Sequence, residues 1–274
     1  MRLTRLSGSQ LERSDNLAAW LKAPAVEQET WLLVSPHDDD LALGAGMLIP
    51  SAVAAGVDVQ VLIVTDGCLG YCTREQEADI VDIRRRETFD SFELLGVRRE
   101  QITYIDYPDG GLTPYIGRRK ARPGEPEIGG YVGLQNALTH HLRRLRPARV
   151  WVPTHTDLHP DHRITHSELM ISLFHASGAI WPELGRPLDA PPAVYEMAVY
   201  CDFSEPPNLE MIGDDDLFQK KLHSLAAYAS QTQIAALVAN TRAAGAYEYF
   251  REVAFRLYSA KAYRALFDPD ARDA

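Results

Sequence analysis

The sequence predicts an α/β fold: a Rossmann-like, mostly parallel sheet flanked by helices, followed by a C-terminal helical segment. Three observations predict it. Short apolar runs rich in β-branched and aromatic residues recur along the chain, longer amphipathic stretches separate them, and Gly, Pro and Asp clusters punctuate the junctions. The 274 residues, 46% hydrophobic and 24% charged, have an ordinary globular composition and can bury a sizeable core. Residues 1–274 therefore read as a single domain.

The elements follow in order. Trp31-Leu32-Leu33-Val34 marks a first strand over residues 31–35, and residues 41–55 follow as a helix. A strand over 57–65 comes next, then a helix over 75–95 that Gly96 would close as a C-cap, then a strand over 102–107. Helices over 133–145 and 161–177 flank a strand over 149–153, and a last strand spans 194–201. The order is βαβαβαβαβ. Residues 215–244 and 247–267 read as helices interrupted near Gly245, placed to pack across the sheet or to cap a site. Two stretches read as loops, 109–130 with six glycines and 181–192 with four prolines. The first is the better candidate for a substrate-facing lid, because a loop above about 15 residues in a compact domain is more often functional.

Bulk properties exclude several function classes. A net charge of −10 disfavours a nucleic-acid binder, whose affinity comes from clustered Lys and Arg. No apolar run reaches the roughly 18–20 residues of a membrane span, and Met1-Arg2-Leu3-Thr4-Arg5 lacks the apolar block of a secretory leader, so a cytoplasmic protein is expected. Cys68, Cys72 and Cys201 make neither a disulfide framework nor a cysteine zinc site.

Two clusters carry the chemistry. His37-Asp38-Asp39-Asp40 follows the strand ending at Ser35, and His159-Pro160-Asp161-His162 follows the strand ending at Pro153. In an open parallel sheet, ligands bind beyond the carboxyl ends of the strands, so two segments distant in sequence can meet there. Zinc favours imidazole nitrogen and carboxylate oxygen, with three protein ligands and an open position in a catalytic site. His37, Asp40 and His162 supply such a set for one zinc ion, and other divalent metals also suit a site of this kind. Asp39 is then a carboxylate left beside the metal, placed to take a proton from water, with Asp38 as its alternative in the aspartate triplet. His159 is placed to stabilise an oxyanion or protonate a leaving amine, and Asp161 to orient one of the histidines through a ring N–H. His155 competes with His162 as ligand. His166, four residues after His162, has a zinc-like helical spacing without the glutamate of H-E-x-x-H. Each residue alone also reads as a helix cap or a surface polar group, and the joint placement at two strand ends favours a metal site.

On these motifs the chain resembles the PIG-L-like (LmbE-type) N-deacetylases. Their first signature, H-x-D-D, reads here His37-Asp38-Asp39-Asp40, with Asp38 and Leu41 where proline and glutamate are usual. The second, H-P-D-H, stands as His159-Pro160-Asp161-His162. Weaker similarities at Thr65-Asp66-Gly67, Arg84-Arg85-Arg86-Glu87, Tyr107-Pro108-Asp109-Gly110, Lys221, Ser230-Gln231 and Glu248 extend the match to about residues 30–255. The resemblance implies the same metal ligands, Asp39 as general base, and His159, assisted by Asp161, as acid or oxyanion partner. It adds Arg84 and Asp109 as groups that grip substrate hydroxyls. The expected activity is zinc-dependent removal of an N-acyl group, most often N-acetyl, from a small N-acetylated sugar or glycoconjugate.

Two other readings predict different structures. An HD-type metal phosphohydrolase, suggested by the His37-Asp38 pair, is helical throughout. A carbohydrate-binding module with a structural metal needs closed coordination and no base. The basic run Gly117-Arg118-Arg119-Lys120-Ala121-Arg122 is either a solvated loop face or a contact for an acidic substrate.

Overall fold

Residues 31–34 are apolar without alternation because both faces of their strand are covered: Trp31 and Leu33 enter one buried cluster, Leu32 and Val34 another. The computed structural model describes residues 1–255 and 258–267. Its strands are β1 (Arg2–Ser7), β2 (Gln10–Ser14), β3 (Thr30–Ser35), β4 (Asp58–Thr65), β5 (Ile102–Tyr107), β6 (Arg119–Lys120), β7 (Tyr131–Val132), β8 (Arg149–Pro153), β9 (Ala193–Met197), β10 (Leu209–Ile212) and β11 (Tyr247–Val253). The helices are α1 (Leu17–Trp20), α2 (Asp40–Ala45), α3 (Leu48–Ala54), α4 (Ile80–Leu94), α5 (Leu134–Leu145), α6 (Pro160–Ser177), α7 (Asp215–Ala226), α8 (Ile234–Ala244) and α9 (Ala260–Phe267).

Nine strands form one sheet in the order β2-β1-β10-β11-β9-β8-β3-β4-β5. From β9 to β5 every pairing is parallel, and the strands from β2 to β11 join antiparallel. The α/β class with helices on a central sheet is thus as the sequence predicts. The chain runs β3, β4, β5 outward in one direction and returns to β8 on the other flank of β3. Strand order therefore reverses between β3 and β8, the place where open α/β sheets bind ligands. Among the described residues no helix is long and apolar enough to cross a membrane.

Three local departures have physical causes. The helix expected over 41–55 is two helices, because Pro50 lacks an N–H and its ring would strike the carbonyl of Gly46 four residues earlier. Gly46 sits at the break, where a Cβ would lie 2.4 Å from the Ala42 carbonyl oxygen. The helix expected over 247–267 is wrong in its first half: Tyr247–Val253 is strand β11, and Tyr-Glu-Tyr-Phe alternates exposed and buried with the period of a strand. The helical reading holds at α9. The strand expected to reach Cys201 ends at Met197.

On the sheet's carboxyl side, Ala42 of α2, Leu225 of α7 and Tyr228 form a small buried cluster, with Leu43, Leu237 and Val238 packed against it. This fixes α7 and α8, and the turn between them, beside the ends of β3 and β8.

Candidate active site

Beyond Ser35 the chain turns sharply, and three hydrogen bonds from two residues pin the turn. Thr65, at the end of β4, donates both its N–H and its hydroxyl to the Pro36 carbonyl, and the Tyr228 hydroxyl donates to the Asp38 carbonyl at 2.6 Å. Asp39 occupies the N-cap position of α2 and Asp40 its first turn. Across the reversal, His159 caps α6: its Nδ1 accepts from the Asp161 N–H at 3.3 Å, and Pro160 fits the first turn, where an N–H is dispensable. His162 follows on the buried face.

These turns bring His37, Asp40 and His162 together. His37 Nδ1 lies 3.1 Å from His162 Nε2, Asp40 Oδ2 lies 3.3 Å from His37 Nδ1, and Asp40 Oδ2 lies 3.1 Å from His162 Nε2. Ligands at about 2.0–2.1 Å from a tetrahedral zinc stand about 3.3–3.4 Å apart, so the three atoms have nearly the spacing of one ion's coordination face. Asp40 Oδ1, fully buried, has no hydrogen-bond partner. The donor chemistry and the spacing fit a divalent metal. The His159 ring, T-shaped to His37 at 4.5 Å between centroids, stands close enough that His37, His159 and His162 also offer atoms within 4.8 Å of one another. The trio containing Asp40 is the tighter one.

Carboxylates back both imidazoles. His37 Nε2 faces Asp109 Oδ1 at 3.2 Å and Asp161 Oδ2 at 3.4 Å, and His162 Nδ1 faces Asp157 Oδ2 at 3.2 Å. Neither nitrogen makes a hydrogen bond of acceptable geometry to these oxygens, but carboxylates so placed can orient a ring that holds a metal. The Asp161 carboxylate also accepts from the Gly110 N–H at 2.8 Å, so it sits against His37, while His159 receives the Asp161 backbone N–H. Asp157 is an orienting residue for which the sequence alone carried no signal.

The charges respond accordingly. Burial opposes charge on His37 and His162, but Asp40 above all, with Asp109 and Asp161 for His37, holds both pKa values above that of free imidazole. Burial also opposes ionisation of Asp40, which the two histidines overcome, keeping it well below the usual carboxylate range. His159 is lowered by burial and then by His37 and His162. Burial pushes Asp38 up to about 7, against the pull of Arg84.

Arg84 and Asp109 line one cavity of about 830 Å3, together with His37, Asp38, Asp39 and His159. Arg84, buried on α4, approaches Asp38 Oδ2 at 3.1 Å and Asp39 Oδ2 at 3.7 Å. Asp109 accepts from the Leu69 N–H at 3.3 Å. Gln231, in the turn before α8, donates to Asp39 Oδ2 at 2.8 Å. The mouth is apolar and open: Leu69 and Tyr71 are each 66% exposed, Leu158 is 74% and Tyr200 is 54%. The 109–130 loop reaches the cavity through Asp109 and Gly110 only, and the 181–192 loop does not reach it. Arg118 is held by Glu183 and Asn136, and Arg119 by Glu125, so half of the basic run is spent on neighbouring side chains. His155 lies away from the trio, against Glu196.

Comparison with known proteins adds relatives. The PIG-L family model, described as GlcNAc-PI de-N-acetylase, matches residues 32–172. A diacetylchitobiose deacetylase of Thermococcus kodakarensis is 33% identical over 138 residues, 48% of this chain and 44% of that protein. A mycothiol S-conjugate amidase of Streptomyces coelicolor is 28% identical over 163 residues, 53% of this chain and 52% of that one. The chain thus spans about half the length of the curated relatives it matches. Among solved structures, N,N'-diacetylchitobiose deacetylase from Pyrococcus horikoshii superposes with a TM-score of 0.67 at 25% identity, covering 82% of this chain and 84% of that one.

Proposed function

The chain belongs to the PIG-L family, and from that premise we propose that it is a zinc-dependent N-deacetylase acting on an N-acetylated amino sugar or sugar conjugate. The observation that carries the reading is the convergence of His37 Nδ1, Asp40 Oδ2 and His162 Nε2 at 3.1–3.3 Å beside a cavity that Asp39 and His159 also line. In this reading residues 1–274 act as one domain in the cytoplasm, on a small molecule and without a nucleic-acid partner.

His37, Asp40 and His162 would hold the metal. When bound, zinc supplies a Lewis acid that polarises an acyl carbonyl and lowers the pKa of water. Asp39 takes the proton from the attacking water, and the Gln231 amide and Arg84 hold its carboxylate in place. Asp38 is the weaker candidate for base because its carboxylate is pinned by Arg84. His159 donates to the developing oxyanion or to the departing amine. Arg84 and Asp109, both lining the cavity, present a donor and an acceptor to sugar hydroxyls. A bare N-acetylhexosamine leaves much of an 830 Å3 cavity unfilled, and the exposed apolar mouth suits an aglycone or second ring, which favours a conjugate.

The test is a panel of N-acetylated sugars, free and as aryl or alkyl glycosides, assayed for released acetate and free amine with added zinc and with chelator. Zinc-dependent release from at least one conjugate is expected. A zinc-loaded protein that releases acetate from none of them would overturn the reading.

A further inference from the structure

One helical turn beyond His162, a second cluster stands outside the catalytic cavity. His155 follows β8, His166 lies on α6 and Glu196 on β9, and Glu196 Oε1 is 2.9 Å from both His155 Nδ1 and His166 Nε2. All three offered atoms lie within 4.8 Å of one another. Glu196 is 1% exposed and His166 8%, while the His155 side chain is about half exposed, which leaves one side open to solvent. Neither the metal trio nor the cavity uses any of them.

We propose that His155, His166 and Glu196 form a second divalent-cation site, with zinc as the best match. Two imidazoles and a carboxylate with an open position are a zinc ligand set. The second observation is at His166: its buried Nε2 has no hydrogen bond of acceptable geometry, although a carboxylate oxygen is 2.9 Å away. A cation held between the three groups would give that buried nitrogen a partner. Arg251 competes for Glu196, but it approaches the other oxygen, Oε2, at 3.4 Å and is itself drawn outward by Glu205. Oε1 stays with the histidines.

Occupancy would tie β8, α6 and β9 together at the root of the loop that carries Asp157. That residue faces His162, and its carboxylate accepts from the backbone N–H groups of His159 and Tyr200. The second ion, its open position left to water, would therefore stiffen the loop behind a catalytic ligand. This inference does not rest on the deacetylase reading.

The experiment is equilibrium dialysis of the full chain against zinc, with bound metal counted by mass spectrometry, for wild type, His155→Ala and Asp40→Ala. His155 is exposed enough for its alanine variant to fold, and circular dichroism verifies this. Two equivalents in wild type and one in each variant are expected, and zinc should raise the Tm of Asp40→Ala but not of Asp40→Ala/His155→Ala. Equal zinc in wild type and His155→Ala, at one equivalent or two, overturns the second site. One equivalent that His155→Ala loses and Asp40→Ala keeps supports it and instead removes the catalytic metal.

Discussion

Asp39 and Asp38 are chain neighbours that share the Arg84 guanidinium, at 3.7 Å and 3.1 Å, but only Asp39 also accepts from the Gln231 amide. If Asp39 is the base, Asp39→Asn keeps its shape and its metal but cannot accept a proton. Metal content by mass spectrometry should match wild type while kcat for acetate release falls about 10²- to 10⁴-fold. Unchanged turnover would remove Asp39 as the base and leave Asp38 in that role. Asp157→Asn tests a partner one step further out. Without a full charge behind His162, zinc affinity in competition with a chromogenic chelator should weaken about 10- to 100-fold. The proposed ligands were legible because few residue types bind zinc and both clusters sit where strands end. Asp157 was not, since its role depends on which way the His162 ring faces, and a single aspartate in His155-Thr156-Asp157-Leu158 carries no periodicity.

At the scale of elements, the buried parallel strands were readable as unbroken apolar runs, whereas β1, β2, β10 and β11 were not. Those strands intersperse polar residues among the apolar ones, and β11 begins two residues after Gly245, whose φ of +88° ends α8, so the helical reading resumed there on a stretch that alternates instead. The break between α2 and α3 was written in Pro50, and reading the apolar pattern alone passed over it. The 181–192 loop has an anchor of its own. The buried Arg143 guanidinium on α5 donates to the carbonyls of His175, Ala176, Gly178, Ile180, Trp181 and Gly185. Arg143→Met would leave those acceptors without their donor. Urea unfolding should show a loss of about 3 kcal/mol or more, with metal binding at the distant trio intact.

For the whole molecule, acid should be destabilising. Burial and then Arg144 push His141 down to about 3, and Arg144, which can only donate, contacts its Nδ1 at 3.3 Å, as a neutral ring requires. Between about pH 6.5 and 3 the unfolded chain therefore binds a proton that the folded one refuses. Stability falls as pH drops through that window, by up to about 1.4 kcal/mol per pH unit from this residue. Unfolding free energies at pH 7 and pH 5 should differ less for His141→Gln than for wild type, and identical slopes would refute the assignment. The sheet order has a consequence for synthesis. The β1–β2 hairpin reaches the parallel strands only through β10 and β11, so the first strand made waits for nearly the last. At about 5–20 residues per second that wait is roughly 10–50 s on the ribosome, during which the apolar face of β1, with Leu3, and the free edge of β9 lack their final neighbours. The nascent chain is thus most exposed to misassociation just before residues 247–253 emerge.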